Sequence, residues 1–587
     1  MEGGPQVDQS LFLTPILSLL EAYPWIGNWY TFGVRWVLAF LAIFILFKSI
    51  RSLLQVENPS EIWAYLGFPN GSNEALTHWE NVLGRAASSD VVINFPSVSR
   101  NHGTLVRDAE GNWTYNDLGS KVGSKVNGVE VTGPTPVKIG DTLSLGGVNF
   151  MLLPVTVKEK RSNVKRRFRL GRPVSPWSSL IALTVFQILT ALQLIVALGE
   201  ECPASVPLCI LGLAAVEWFY FIVLRAFRRV GFEMETIAFF LSTLSLAITA
   251  SSNPDAVFKQ LVAILLGIGI FLVLCWYLRD LNRAKKIRWP LIIFSVILLL
   301  INIVFGTAKY GAQNWVSFAG FSIQPSEVVK LFFIFAGAAT LDELFQKGNL
   351  TVFIIFSGFC LGCLALMGDF GTAAIFFITF LVISFLRSGD FSKLVLIVGA
   401  AVFGGMMILR FKPYIASRFA AWGHVWEYAS TTGYQQTRTM SASASGGLVG
   451  VGGGDGWLQS VAAADTDLVF GMLNEEWGLI IAILAVLCIV TLAVFAVKSI
   501  VSGRSAFYTI AACAATSMLL FQTILNVFGS VDILPLTGVT FPFVSNGGTS
   551  MMVSWGMLAY LKAADTRQNA SFAIRLPSKR ELGGKKI

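Results

Sequence analysis

The chain has 587 residues, 54% of them hydrophobic and only 13% charged, with a formal net charge of +9 and a mean hydropathy of +0.65. Length alone would suggest about four soluble domains, but repeated apolar runs of roughly 17 to 25 residues, each able to cross a ~30 Å hydrocarbon layer, exclude a simple cytosolic protein. The basic residues gather at the ends of those runs, as topology signals facing anionic lipid do, so a polytopic all-α membrane protein is expected and nucleic acid is not a partner.

The first apolar run, 31–48, is followed by Lys48 and Arg51 and by no small-residue cleavage site. It reads as an anchor (1–55) rather than a removed signal peptide, and its basic flank places residues 1–30 outside and the next segment in the cytoplasm. Residues 60–156 change character: polar, rich in Gly and Asn, with short alternating runs such as DVVINF and GNWTYNDL between turn signals. This pattern predicts a small all-β sandwich. Segment 157–177 reads as a linker, whose stretch 158–173 has eight basic residues against one acidic. A solvated positive-inside anchor is the economical reading, with anionic-lipid recognition as the sharper alternative.

Further apolar runs follow near 178–199, 206–225, 232–252, 257–278, 289–306, 326–343, 350–367, 371–387, 393–411, 470–497, 505–527 and 549–563, about thirteen spans with the first. They divide into two extra spans (178–229), a ten-span block (230–565) and a basic tail (566–587). Basic clusters at 225–229, 279–288, 498–504 and the tail fall on one side under alternation, which places the N-terminus outside and the C-terminus in the cytoplasm. The Gly-rich polar stretch between 411 and 470 falls outside, and a loop that long is more often functional than connective. The seven cysteines lie mostly inside apolar runs without histidine companions. No zinc site is expected, and Cys202 with Cys209 is at most a weak disulfide candidate.

In the β region, Gly84-Arg85, Ser99, His102, Asn127-Gly128 and Gly140-Asp141 together resemble the forkhead-associated (FHA) domain. The resemblance implies phosphothreonine binding, with Arg85 and Ser99 at the phosphate-contacting positions and His102 supporting the loop. A guanidinium fork and a hydroxyl both donate to a phosphate dianion. The family's usual Asn-Gly after the Ser120 region is Val122-Gly123 here, so the amide expected to grip the peptide backbone is missing. A docking fold without phosphate recognition is the alternative.

Within the membrane block, five strings are too polar for ordinary helix ends: 311–330, 368–372, 433–459, 462–478 and 533–552. Ionisable residues at membrane depth are costly and default to functional candidates. In this order and spacing the strings resemble the SEDS family (shape, elongation, division and sporulation; FtsW/RodA/SpoVE) over about 230–565. The resemblance implies a glycosyltransferase that polymerises peptidoglycan from lipid II beside a class B penicillin-binding protein. It names no certain cofactor; a divalent cation at the diphosphate is an option. Such chemistry needs a base for the acceptor hydroxyl, cations for the leaving diphosphate and a groove for polyprenyl tails. Because the family turns an α-linked donor into a β-linked polymer, one inverting displacement with one base suffices.

The resemblance places that base at Asp467. The family's Pro-Glu-x-His-Thr-Asp-Phe string reads Ala-Ala-Ala-Asp-Thr-Asp-Leu here, so Ala463 stands for the usual Glu and Asp465 for the usual His. Asp465 is a second candidate carboxylate, and an N-cap role without chemistry is open to either. Glu475 and Glu476 are expected at the cavity or in a structural hydrogen-bond network, and Glu327 with Lys330 as cavity residues or an i, i+3 ion pair. Gln324, Ser326, Asp369, Gln435, Ser545, Asn546 (a usual Tyr), Gly547 and Gly548 complete the expected cavity. Arg438, Arg418 and Lys412 are cations for a diphosphate, the last two equally explained as snorkelling anchors. The glycines of 446–454 are expected to let backbone approach a ligand, flexibility being the alternative, and 533–552 to form a broken element lining a cavity. Rival functions are a lipid II flippase and a non-catalytic scaffold whose FHA domain recruits a threonine-phosphorylated cytoplasmic protein.

Overall fold

The computed structural model describes residues 10–573 apart from 55, 56, 58, 88, 109, 171–173, 310–311, 319–320, 342–346, 568–569 and most of 389–418. Helices α1 (Ser10–Ala22) and α2 (Pro24–Leu54) open the chain; the expected first run is only the middle of α2, whose Pro24 sits where a missing N–H costs nothing. After the β region come α3 (Val157–Leu170), α4 (Trp177–Leu198), α5 (Ser205–Ala226), α6 (Glu233–Ser252), α7 (Val257–Leu278), the short α8 (Leu281–Lys286) and α9 (Arg288–Phe305). Then follow α10 (Pro325–Leu341), α11 (Lys347–Met367), α12 (Phe370–Ser388), α13 (Tyr434–Gly446), α14 (Val469–Ser502), α15 (Ala506–Ser530) and α16 (Gly548–Ala564). Eight of these, α2, α4–α7, α9, α14 and α15, are long and apolar enough to cross a membrane, and shorter apolar helices cover Thr351–Met367 and Phe370–Leu386. Each expected apolar run falls on a helix except 393–411, which lies largely outside the described residues, as do Lys412 and Arg418.

Three local expectations are corrected. The basic linker begins as helix α3, because Thr156 and Glu159 form a capping box: the Thr156 N–H donates to Glu159 Oε2 (3.0 Å) and the Glu159 N–H to Thr156 Oγ1 (3.3 Å). Much of the Gly-rich stretch is not loop, since Tyr434–Gly446 forms α13. Cys202 and Cys209 are both free thiols.

The β region is a two-sheet sandwich. One sheet orders β2 (Asn73–Leu76), β1 (Ala64–Gly67), β11 (Val148–Leu153), β10 (Thr142–Leu145), β7 (Ser124–Val126) and β8 (Val129–Glu130). The other orders β4 (Val91–Val92), β3 (Glu80–Gly84), β5 (Gly103–Arg107), β6 (Trp113–Asp117) and β9 (Thr135–Val137). Alternate residues, among them Leu66, Leu83, Leu105, Tyr115, Leu143 and Phe150, fill the space between them. A smaller sheet, β12 (Thr307–Lys309), β13 (Ala312–Phe318) and β14 (Phe321–Ile323), joins α9 to α10.

One end of the sandwich docks on the connection between α14 and α15. Glu80 accepts from Ser505 Oγ (2.8 Å) and the Ala506 N–H (2.9 Å), capping α15. Arg504 makes two bonds to Glu61 (2.7 and 2.8 Å), and the Trp79 N–H donates to the Arg504 carbonyl (2.6 Å). The same end of the membrane block holds buried ion pairs. Lys562 meets Glu235 (2.8 Å), while Arg567 meets Asp565 (2.8 Å) and Glu233 (3.3 Å) and donates to the Ser52 carbonyl of α2 (3.0 Å).

Candidate active site and phosphate-reading loop

At the opposite end of the bundle, residues 461–468 form a tight turn. The N–H groups of Thr466, Asp467 and Leu468 all point at the Ala463 carbonyl (3.3, 3.0 and 3.3 Å), and Ala463 has φ +61°, a left-handed conformation that costs a non-glycine residue about 1–2 kcal/mol. Segment 533–547, irregular between α15 and α16 as the Pro and Gly content suggests, is stitched to this turn. Ser545 Oγ donates to the Thr466 carbonyl (2.7 Å), and the Asn546 N–H to the Asp465 carbonyl (2.8 Å).

Asp467 precedes α14 by two residues and is half-buried. The Asn526 amide of α15 bridges the Asp467 and Val539 carbonyls (3.0 and 2.8 Å). Gly538, at φ +71°, a backbone conformation that favours glycine, lies beside Asp467, and a Cβ there would stand 3.3 Å from Asp467 Oδ2. The N-cap position of α14 is Leu468, which makes no side-chain cap bond.

Asp465 is tied down. Its Oδ2 accepts from Asn546 Nδ2 (2.8 Å) and Ser252 Oγ (3.1 Å). Two of the positions at which this chain departs from the family pattern, Asp465 and Asn546, thus bond to each other: a carboxylate acceptor has met an amide donor.

Glu475 and Glu476, fully buried on α14, turn toward the Gly-rich segment. Glu475 accepts from the Trp457 and Leu458 N–H groups (both 3.0 Å); Glu476 accepts from the Gly454 N–H (3.1 Å) and Ser251 Oγ (2.7 Å). Gly450 and Gly453 pack against protein, while Gly447 faces open space. A Cβ on Gly450 would lie 2.1 Å from the Glu476 carbonyl and one on Gly453 2.2 Å from the Trp477 ring. From outside, Arg35 of α2 donates to the Gly450 carbonyl (2.6 Å) and Gln193 of α4 to that of Gly453 (3.4 Å). That two N-terminal helices hold this loop is a contact that no local sequence signal announces.

The remaining candidates fall around this end. Asp369 caps α12 through the Thr372 N–H (3.1 Å) and receives the Asn314 and Gln324 amides (3.1 and 3.3 Å). Glu327 and Lys330 form a buried ion pair (2.6 Å), and Ser326 beside them is buried. Gln435 donates to the Ala462 carbonyl (2.9 Å), reaching the Asp467 turn. Arg438 is exposed, over the Tyr434 ring. Gly547 is the N-cap of α16, which Gly548 begins. Among the described residues no cluster of three or more His, Cys, Asp or Glu suits a metal ion.

In the sandwich, Arg85 is exposed and Ser99 half-buried. The Ser99 N–H donates to His102 Nδ1 (3.0 Å), the Lys121 N–H to Ser99 Oγ (3.1 Å), and His102 Nε2 faces the Gly123 carbonyl (3.3 Å). His102 is wholly buried, and burial, opposed by Asp117 and that carbonyl, pushes its pKa below 6.5. A neutral imidazole with Nδ1 accepting and Nε2 donating therefore ties together the loops that carry Ser99 and Val122. Val122 is 62% exposed. Asn127, at φ +51°, uses its side-chain oxygen on the Thr142 N–H (2.9 Å) and is a turn residue, not a replacement for the missing amide.

The FtsW/RodA/SpoVE cell cycle protein model matches residues 210–569 and the FHA domain model residues 81–146. A probable peptidoglycan glycosyltransferase FtsW of Borreliella burgdorferi is 28% identical over 330 residues, 55% of this chain and 90% of that protein. The Escherichia coli O6:H1 protein of the same description is 30% identical over 307 residues, 49% and 73% of the two chains. A chain in a structure described as a peptidoglycan synthase complex superposes with a TM-score of 0.49 at 22% identity, covering 57% of this chain and 97% of its own. The helical block, the turn that bears Asp467 and the FHA sandwich thus belong to one multi-pass membrane protein, a member of the FtsW/RodA/SpoVE family that carries an FHA domain.

Proposed function

We propose that this chain is a peptidoglycan glycosyltransferase that polymerises lipid II, with Asp467 as the base that takes the proton from the acceptor sugar hydroxyl. The observation that carries the reading is the setting of Asp467: a half-buried carboxylate beside Gly538, on a turn anchored to α15 and to the 533–547 segment. A base whose backbone is fixed at a chain turn meets the positional demand of an inverting displacement. Asp465, one oxygen of which accepts from Asn546 and Ser252, is the second candidate. The names of the relatives support the glycosyltransferase class. A class B penicillin-binding protein is the proposed partner. The positive-inside bias puts the FHA domain and the C-terminus in the cytoplasm, where the Arg85, Ser99 and His102 loop would read a threonine-phosphorylated protein. The test is polymerisation of purified lipid II by the full chain, with and without such a partner, for wild type and Asp467→Asn. Polymer from wild type and a loss of about 10²-fold or more in the variant are expected; near-normal yield from Asp467→Asn removes the assignment.

A further inference from the structure

The short connection 503–505 between α14 and α15 is held by the FHA sandwich, and both helices that leave it run to the backbone of Asp467. Helix α14, broken at Gly478 (φ +85°), begins two residues after Asp467, and the uninterrupted α15 supplies Asn526, whose amide holds the Asp467 carbonyl. The grip is specific. Glu80, 5% exposed, supplies both acceptors at the start of α15. Glu61 and Arg504 form a two-bond pair, His78 Nδ1 meets the Gly503 carbonyl (2.8 Å), and Arg107 stacks over Trp63 (4.4 Å).

The reading loop is at the other end of the same strands. Strand β3 runs from Glu80 at the dock to Gly84 beside Arg85, and β5 from Gly103 beside His102 to Arg107 at the dock, about 13–16 Å in each case. A peptide on Arg85 and Ser99 therefore leaves the dock intact. We infer that the FHA domain, through Glu80 and the Glu61–Arg504 pair, is a positioning brace that holds the Asp467 turn from the other side of the membrane. The inference rests on the reading of Asp467 as the base.

Hydrogen exchange of the full chain in lipid nanodiscs tests it without requiring turnover. Glu80→Ala removes the acceptor of the Ser505 hydroxyl, the N-cap of α15, and of the Ala506 N–H, and amides 503–509 should exchange about 5- to 10-fold faster. The Asp467 and Leu468 amides should follow by about 2- to 5-fold. Glu61→Arg should act alike, and Glu61→Arg with Arg504→Glu should restore both regions. In lipid II polymerisation the single variants should lower kcat at unchanged KM. Faster exchange confined to 503–509, or none at either place, overturns the brace. Should Glu80→Ala fail to insert, Glu80→Gln and the charge swap carry the same test. If instead Asp467→Asn polymerises normally while the exchange coupling holds, the base assignment falls and the brace stands.

Discussion

The two ends of the helix bundle satisfy their carboxylates differently. At the end that carries the FHA domain, Glu235 meets Lys562, Glu233 and Asp565 share Arg567, and Glu61 meets Arg504, with Glu80, held by a hydroxyl and a backbone N–H, as the exception. At the other end, the bonds described to Asp369, Asp465, Glu475 and Glu476 come from amides, hydroxyls and backbone N–H groups; Glu327 with Lys330 is the exception. An ion pair fixes a carboxylate and cancels its field. Neutral donors fix it and leave more of that field standing, stronger for being out of water.

The largest expected effect tests the first half of that contrast. Arg567→Ala leaves Asp565 and Glu233 buried without their shared cation and should cost about 3–5 kcal/mol, read as a fall in the thermal unfolding midpoint of the purified protein. An unchanged midpoint would show that the pairs there are incidental. Next comes the pair of aspartates: Asp467→Asn should remove about 10²-fold or more of polymerisation. Asp465→Asn keeps an acceptor for Asn546 and Ser252 and should cost about tenfold or less. Reversal of that order moves the base by two residues.

Glu475→Gln sharpens the contrast at the level of one hydrogen bond. The amide can accept from Trp457 or Leu458 but turns a donor toward the other, at a cost of about 1–3 kcal/mol. Faster amide exchange at 454–458 is the expected sign, and unaltered protection would mean that other contacts hold the loop. The smallest effect is the pH dependence of the FHA domain. With the His102 pKa pushed down by burial, the unfolded chain takes up its proton first as pH falls. Stability is full above the ordinary histidine value, declines from about pH 6.5 to the lowered folded value, and is flat below it as far as this residue is concerned. Denaturant midpoints for wild type and His102→Gln at about pH 7.5 and about pH 5.5 should differ in slope; parallel behaviour would remove His102 as the cause.

How far the chain discloses itself depends on the range of the contact. Apolar runs and β alternation are local signals, and the helices and the sandwich follow them. The Thr156–Glu159 capping box was equally local, and its T-x-x-E spacing could have identified α3. The Asp467 string was recognisable because adjacent residues carry it. The glycines of 446–454 announced a close approach but not its partner, since Glu476, Trp477 and Arg35 reach them from other parts of the chain. The dock was invisible for the same reason: Glu80 and Ser505 are ordinary residues until the fold brings them together. Asp465 and Asn546 looked like two separate departures and are one contact.

The bond from Arg35 to the Gly450 carbonyl spans 415 positions, and this separation imposes an order of assembly. Helix α2 leaves the ribosome long before its acceptor exists, so its guanidinium must find other partners until residue 450 has been made. The loop that leads to Asp467 therefore closes late, as one of the last events of biogenesis. A chain halted before residue 450 should insert its early helices yet leave the end of α2 that carries Arg35 open to proteases, and protection of that site in such a chain would place closure earlier.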